Sequence, residues 1–169
     1  MPFVVEQLIN TNAAVAAKIH AVQMAAYEQE ARLLEVNHFP PLDATVDQVR
    51  SSQELFFGAL LGRRLVGLVA VSEEPTVQVL DIGSLVVEPS HQRQGVGRLL
   101  LSFIVSRFEA LRITVSTGAK NRPALALYAA LGFVEFQRRF IGPERLELVA
   151  LERVRANPSF KRTGLRPSA

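Results

Sequence analysis

The spacing of apolar positions changes several times along the chain, and each change predicts an element. Residues 3–9, FVVEQLI, are a short β-branched run and predict a strand. NTNAA then supplies capping side chains. Val15, Ile19, Val22 and Ala26 follow at steps of four, three and four, which predicts a helix to about Leu34. The prolines of HFPPLD cannot continue it, and Thr45 is placed to cap a short second helix through Val46 and Val49. LFFGALL and LVGLVAV, separated by GRR, predict a hairpin with a basic tip. EEPT turns the chain into a longer strand over 77–87, VQVLDIGSLVV, which Pro89 ends. A helix to about Phe108 comes next, then RITVS as a strand and RPALALYAAL as a helix. FVEFQRRF and RLELVALER form a closing hairpin. The order β-α-α-β-β-β-α-β-α-β-β alternates strands and helices only in part. It predicts an α/β (α+β) chain with a mixed sheet flanked by helices, not a doubly wound parallel sheet.

Composition narrows the class. Of 169 residues, 49% are apolar and 21% charged, the balance of one soluble globular domain with a real core. The best apolar run, FFGALLGRRLVGLVAV, is cut by Arg63 and Arg64, so no stretch reaches membrane-spanning length and no membrane partner is expected. MPFVVEQLIN lacks a basic region ahead of an apolar one, so no signal peptide is expected and the location reads as cytoplasmic. The absence of cysteine excludes disulfides, thiolate metal sites and cysteine nucleophiles.

The net charge of +3 is local. Arg153, Arg155, Lys161, Arg162 and Arg166 against Glu152 give residues 152–169 a balance of +4, which leaves −1 for residues 1–151. The expected organisation is one domain over 1–152 and a basic, flexible tail over 153–169. Nucleic acid is not the expected partner, because the folded body carries none of the excess charge. Binding through the tail alone would fall steeply with salt. His20, His38 and His91 are isolated from one another and from acids at ligand spacing, so no metal is expected. His91 is expected on the surface.

One stretch carries chemistry. SHQRQGVGRLLL, residues 90–101, places Gly95 and Gly97 at the start of a helix they weaken by roughly 1 kcal/mol each relative to alanine. Two readings account for them. Bare glycines let an anion reach the unpaired N–H groups of a helix start, or they let the helix pack closely on the sheet. QRQGVGR lacks the Lys-Ser/Thr ending of a P-loop and the third glycine of a dinucleotide fingerprint.

LVVEPSHQRQGVGRLLL resembles the acyl-CoA-binding motif of the GNAT superfamily of N-acetyltransferases, with Gln92, Gly95 and Gly97 in register. NRPALALYAALGF resembles that superfamily's second motif, through Asn121, Ala124, Leu127, Tyr128, Leu131, Gly132 and Phe133, one helix and one strand later. The resemblance implies the GNAT fold: a mixed, mostly antiparallel sheet of about seven strands with about four helices. It also implies direct transfer of an acetyl group from acetyl-CoA to a primary amine of a small molecule or peptide. A non-catalytic acyl-CoA-binding sensor would keep both motifs, and free-thiol release distinguishes it. Many relatives form dimers, so a homodimer is among the expected assemblies.

What the resemblance implies can be placed residue by residue. The CoA pyrophosphate would lie on the backbone N–H groups of residues 94–98, that is Gln94, Gly95, Val96, Gly97 and Arg98. The pantetheine arm would pair with Leu85, Val86 and Val87 as an added strand. Arg93, Arg98, Lys120 and Arg122 are within reach of phosphates, and Asn121 and Ala124 belong to the second motif. Tyr128 would be the general acid that protonates the leaving thiolate, and a main-chain N–H near Val86 or Val87 would stabilise the oxyanion. Asp81 falls where histone-type members carry a catalytic glutamate and is the candidate general base. Glu28, Glu30 and Glu35 are further acids in YEQEARLLEVNHFPPLD, which the resemblance implies builds the acceptor site together with RRFIGPERL.

Overall fold

The structure, a computed structural model, describes residues 2–156. Strand β1 (Phe3–Leu8) leads into helix α1 (Ala13–Leu34) through Asn12, whose side chain accepts from the N–H groups of Ala14 and Val15 at 3.0 and 3.2 Å. Such a cap is worth about 1 kcal/mol. A 3-10 turn at Pro40–Asp43 follows the helix. Thr45 caps α2 (Val46–Ser51) in a reciprocal capping box with Gln48. The remaining elements are β2 (Leu55–Leu61), β3 (Arg64–Glu74), β4 (Val79–Val87), α3 (Val96–Arg107), β5 (Arg112–Gly118), α4 (Arg122–Ala130), β6 (Val134–Ile141) and β7 (Leu146–Val154). The order is the one that the hydrophobic periods predict.

The seven strands form one sheet in the order β1-β2-β3-β4-β5-β7-β6, antiparallel everywhere except between β4 and β5. Helices cover both faces. α1 and α2 lie against Phe56, Leu68, Ala70 and Val86, while α3 and α4 lie against Phe57, Val69, Val71 and Ile82. A central strand covered on both sides has no polar face, and β3 is accordingly buried throughout residues 65–71.

The sheet splits at its middle. β4 and β5 pair over residues 79–82 and 112–115 only. Opposite the step between Ala70 and Val71, β4 carries one extra residue, Gly83, and such a bulge bends its strand. A side chain at Gly83 would collide with the Glu54 carboxylate, which fills that space. Beyond the bulge β4 stays on β3 and β5 stays on β7, so the two diverge.

At the other end, β7 runs two residues past the expected domain boundary at 152. Arg153 pairs with Ile113 and donates from Nε to the Leu131 carbonyl at 3.0 Å, so it belongs to the sheet and not to the tail. The rest of the expected tail, from residue 157, lies outside the described residues.

Candidate active site

The gap between β4 and β5 is where the expected residues meet, and ladder register decides which main-chain groups face it. The Glu88 N–H donates to the Val66 carbonyl at 2.8 Å, with Val87 opposite Gly67, Val86 opposite Leu68 and Leu85 opposite Val69. Bonded and non-bonded pairs alternate in an antiparallel ladder. Val86 therefore bonds to β3, while Leu85 and Val87 turn their N–H and C=O groups into the gap. Of the two expected N–H donors, Val87 has the orientation and Val86 does not. Leu85 joins Val87 in its place.

The loop after β4 returns across the gap. Gln92 donates to the Val87 carbonyl at 3.3 Å and to the Gln29 side chain on α1 at 2.6 Å. Gly95, the N-cap of α3, has φ of 82°, a left-handed conformation that glycine adopts without penalty. Nothing lies within 4 Å of where its Cβ would be, so the space before the first N–H groups of α3 is open. Gly97 differs: a Cβ there would sit 3.2 Å from Leu127 and 3.9 Å from Val87. The two readings of the glycines divide between them, open approach at Gly95 and close packing at Gly97.

These parts enclose a cavity of about 540 Å3. From β4 and the loop, Leu85, Val86, Val87, Gln92 and Arg93 reach its wall. Gly95, Val96, Gly97 and Arg98 do so from the start of α3, and Asn121, Ala124 and Tyr128 from α4. Gln94 does not, and neither do Lys120 and Arg122. Lys120 is instead bonded to Glu35 at the end of α1. His91 is half-buried on the same wall, not exposed. Its Nδ1 lies 2.9 Å from Ser90 Oγ and 3.2 Å from the Glu88 carboxylate, because the 3-10 turn at Pro89–His91 folds it inward. Sequence reasoning misses Ala26, Gln29 and Leu33 of α1 here. With Glu30 they form a stripe at helical spacing, legible once α1 is known to border the gap.

A second cavity of about 350 Å3 adjoins the first and shares Glu30, Leu85, Val86, Asn121, Ala124 and Tyr128 with it. Residues from the 3-10 turn and from the β6–β7 hairpin, such as Phe39, Pro41, Ile141 and Leu146, close it. These are the two stretches expected to meet around an acceptor. Tyr128 is 4% exposed, and its ring packs on Phe133 at a centroid distance of 5.5 Å. Its hydroxyl makes no hydrogen bond among the described residues and opens on the cavities. Burial, reinforced by the Glu30 charge, pushes its pKa well above the ordinary tyrosine value.

Asn121 caps α4, accepting from the Ala124 N–H at 3.3 Å, and its amide stands 3.5 Å from Glu30 and 3.4 Å from Thr117. Burial raises the pKa of Glu30, and the Asn121 hydrogen bond offsets this in part. Tyr27, also unanticipated, bonds Ser84 at 2.8 Å on the wall of the second cavity. Asp81 is not brought to either cavity. It lies exposed on the paired part of β4, where Thr114 donates to it at 2.6 Å. Glu28 is also absent from both walls.

The model of the acetyltransferase (GNAT) family matches residues 19–133, well over half the chain. The chain belongs to the GNAT family. Among its curated relatives, the UPF0157 protein YqkA of Bacillus subtilis is 36% identical over 130 residues, 76% of this chain and 37% of that protein. The ribosomal protein bS18-alanine N-acetyltransferase of Salmonella typhimurium is 33% identical over 96 residues, 50% of this chain and 64% of that protein. The matched chain thus spans little more than a third of the first relative and under two thirds of the second.

The crystal structure of the ribosomal-protein-S18-alanine N-acetyltransferase from Escherichia coli superposes with a TM-score of 0.70. It is 19% identical, and the match covers 89% of this chain and 92% of that one. The structure of yncA from Salmonella typhimurium with acetyl-CoA gives 0.68 at 15% identity, over 91% and 94%. At these identities the likeness is one of fold, and it is the GNAT fold, with seven strands and four helices.

The yncA structure, which has this fold, holds acetyl-CoA. The residues present fit that molecule: a free main-chain edge at Leu85 and Val87, an open helix start at Gly95, and the cations Arg93 and Arg98 on one wall. Among the described residues no helix is long and apolar enough to cross a membrane, and no three His, Asp or Glu side chains cluster as metal ligands.

Proposed function

We propose that this GNAT protein is an N-acetyltransferase that moves the acetyl group directly from acetyl-CoA to a primary amine of a small molecule or peptide. One observation carries the reading: the unbonded Tyr128 hydroxyl stands on the wall common to the two cavities, where a donor on one side and an acceptor on the other would meet. The thioester lies along Leu85 and Val87 in this reading, and a free N–H of that edge donates to its oxygen as negative charge develops. The raised pKa of Tyr128 keeps the phenol protonated at neutral pH, ready to donate to the departing thiolate. The two cavities share lining residues, so both reactants can be held side by side, and no covalent enzyme intermediate is needed.

The test is thiol release from acetyl-CoA by the full chain with a panel of primary amines, with acetylated product identified by mass. Amine-dependent release is expected. Tight acetyl-CoA binding with no amine-dependent release would overturn the reading in favour of an acyl-CoA sensor. A second expectation concerns Asp81, which lies outside both cavities. Asp81→Asn should leave kcat/KM and its pH profile as in the parent, and a shifted profile would return Asp81 to the mechanism.

A further inference from the structure

The second cavity is charged at one point. Glu30 is the only ionisable side chain on its wall apart from two tyrosines, among the described residues. Most of the rest is apolar or aromatic, with Leu34, Phe39, Val115, Leu146 and Leu148 prominent and Tyr27 set edge-on to Phe39 at 5.9 Å, while Ser84, Ser116, Thr117 and Asn121 are polar without charge. Resting on the N-acetyltransferase reading above, we propose that the acceptor is a primary monoamine on a compact apolar body, and that Glu30 binds its ammonium group and takes the proton that blocks attack.

Position supports the role of Glu30. It lies on the wall that both cavities share, so an amine held there is next to the edge at Leu85 and Val87. Asn121 holds one carboxylate oxygen at 3.5 Å, and the other has no partner among the described residues. The other acids near the first helix are elsewhere: Glu35 is bonded to Lys120, and Glu28 reaches neither cavity.

The groups facing Glu30 are Tyr27 on its own helix and Asn121 and Tyr128 from α4, with Arg93, Arg98 and His91 on the donor-side wall. A carboxylate whose pKa is raised by burial is a stronger base than one in water. One carboxylate balances one ammonium. A second cation on the acceptor would find no second carboxylate on this wall, and an unpaired charge against its apolar residues is costly. The volume of about 350 Å3 suits a compact body.

The protons balance. Glu30 takes one from the ammonium, and the neutral nitrogen forms a C–N bond to the thioester carbon. The C–S bond breaks as Tyr128 gives its proton to the sulfur. The nitrogen's second proton returns to the Tyr128 phenolate, directly or through water, and Glu30 releases its own to solvent.

The experiment compares kcat/KM for 2-phenylethylamine, a tripeptide with N-terminal leucine, spermidine and Nα-acetyl-lysine amide. The expected result is that phenylethylamine or the tripeptide exceeds spermidine by about tenfold or more. Whichever leads identifies the source as a free amine or a peptide N-terminus. Glu30→Gln should lower kcat/KM for the better acceptor by about 10²-fold and move the acid limb of its pH profile upward, to the ionisation of the free amine. Acetyl-CoA affinity, measured by calorimetry, should be retained. Ser116→Asp, which adds a second carboxylate at an exposed point of the same wall, should raise kcat/KM for spermidine. A parent that prefers spermidine, or a Glu30→Gln profile whose acid limb stays where the parent has it, would overturn this assignment alone. Absence of transfer to every amine would overturn the transferase reading with it.

Discussion

Tyr128→Phe should lower kcat by about 10²-fold or more while leaving acetyl-CoA affinity almost unchanged. The loss corresponds to about 2.7 kcal/mol of transition-state stabilisation. Three features of the residue make the experiment clean. The ring, which packs on Phe133, is retained. The hydroxyl bonds to nothing else among the described residues, so its removal leaves no orphaned partner in the core. The group removed carries no charge at neutral pH, because burial and the nearby Glu30 hold its pKa above the ordinary tyrosine value. Stability should therefore shift by no more than about 0.5 kcal/mol. The sign of the pH effect follows from the same shift: a phenol that resists deprotonation keeps the parent active into alkaline solution. Steady-state rates and calorimetric binding check both halves. Unchanged turnover would remove Tyr128 from the chemistry, and an equal loss of binding and turnover would make it a donor-positioning side chain.

Leu100→Ala should strongly destabilise the fold. Leu100 is 0% exposed, in the apolar cluster between α3 and the sheet. One of its methyl carbons lies 3.3 Å from where a Cβ on Gly67 would be, so helix and strand are already in close contact there. Removing three carbons from a site that cannot collapse further costs about 2–5 kcal/mol. For a domain of this size the melting temperature should fall by about 5–15 °C. Because the Gly95 end of α3 lines the cavity proposed to bind the donor, acetyl-CoA at 100 times its Kd should restore about 2.7 kcal/mol. Calorimetric melting with and without acetyl-CoA measures both. A fall of under about 2 °C would mean that α3 is not packed as described.

The donor side was largely legible from residues adjacent in the chain. A strand edge, a glycine loop and a helix start are consecutive pieces of backbone, and QRQGVG reports them in order. Val86 shows the limit of that reading, since only the pairing of Glu88 with Val66 reveals which way alternate N–H groups turn. His91 shows it again, folded inward by a turn that the sequence marks only with Pro89. Asp81, chosen by its count along the strand, misses the cavities. The bulge at Gly83 lies between it and the part of β4 that diverges from β5.

The sequence by itself determined the order of elements, the donor motif and Tyr128 as the residue of interest, because these depend on periodicity and on spacing within one or two turns. The second cavity was decided only by the tertiary structure. Glu28 and Glu30 are two residues apart, about 200° around a helix of 3.6 residues per turn. Only one of them can face the gap, and the packing of α1 on the sheet selects Glu30. Its surroundings come from Phe39, Val115, Tyr128 and Leu146, brought together by the splay of β4 from β5 and the return of the last hairpin. A wall built from residues so distant in the chain has no local pattern to announce it, because the forces that assemble it act between elements and not along them.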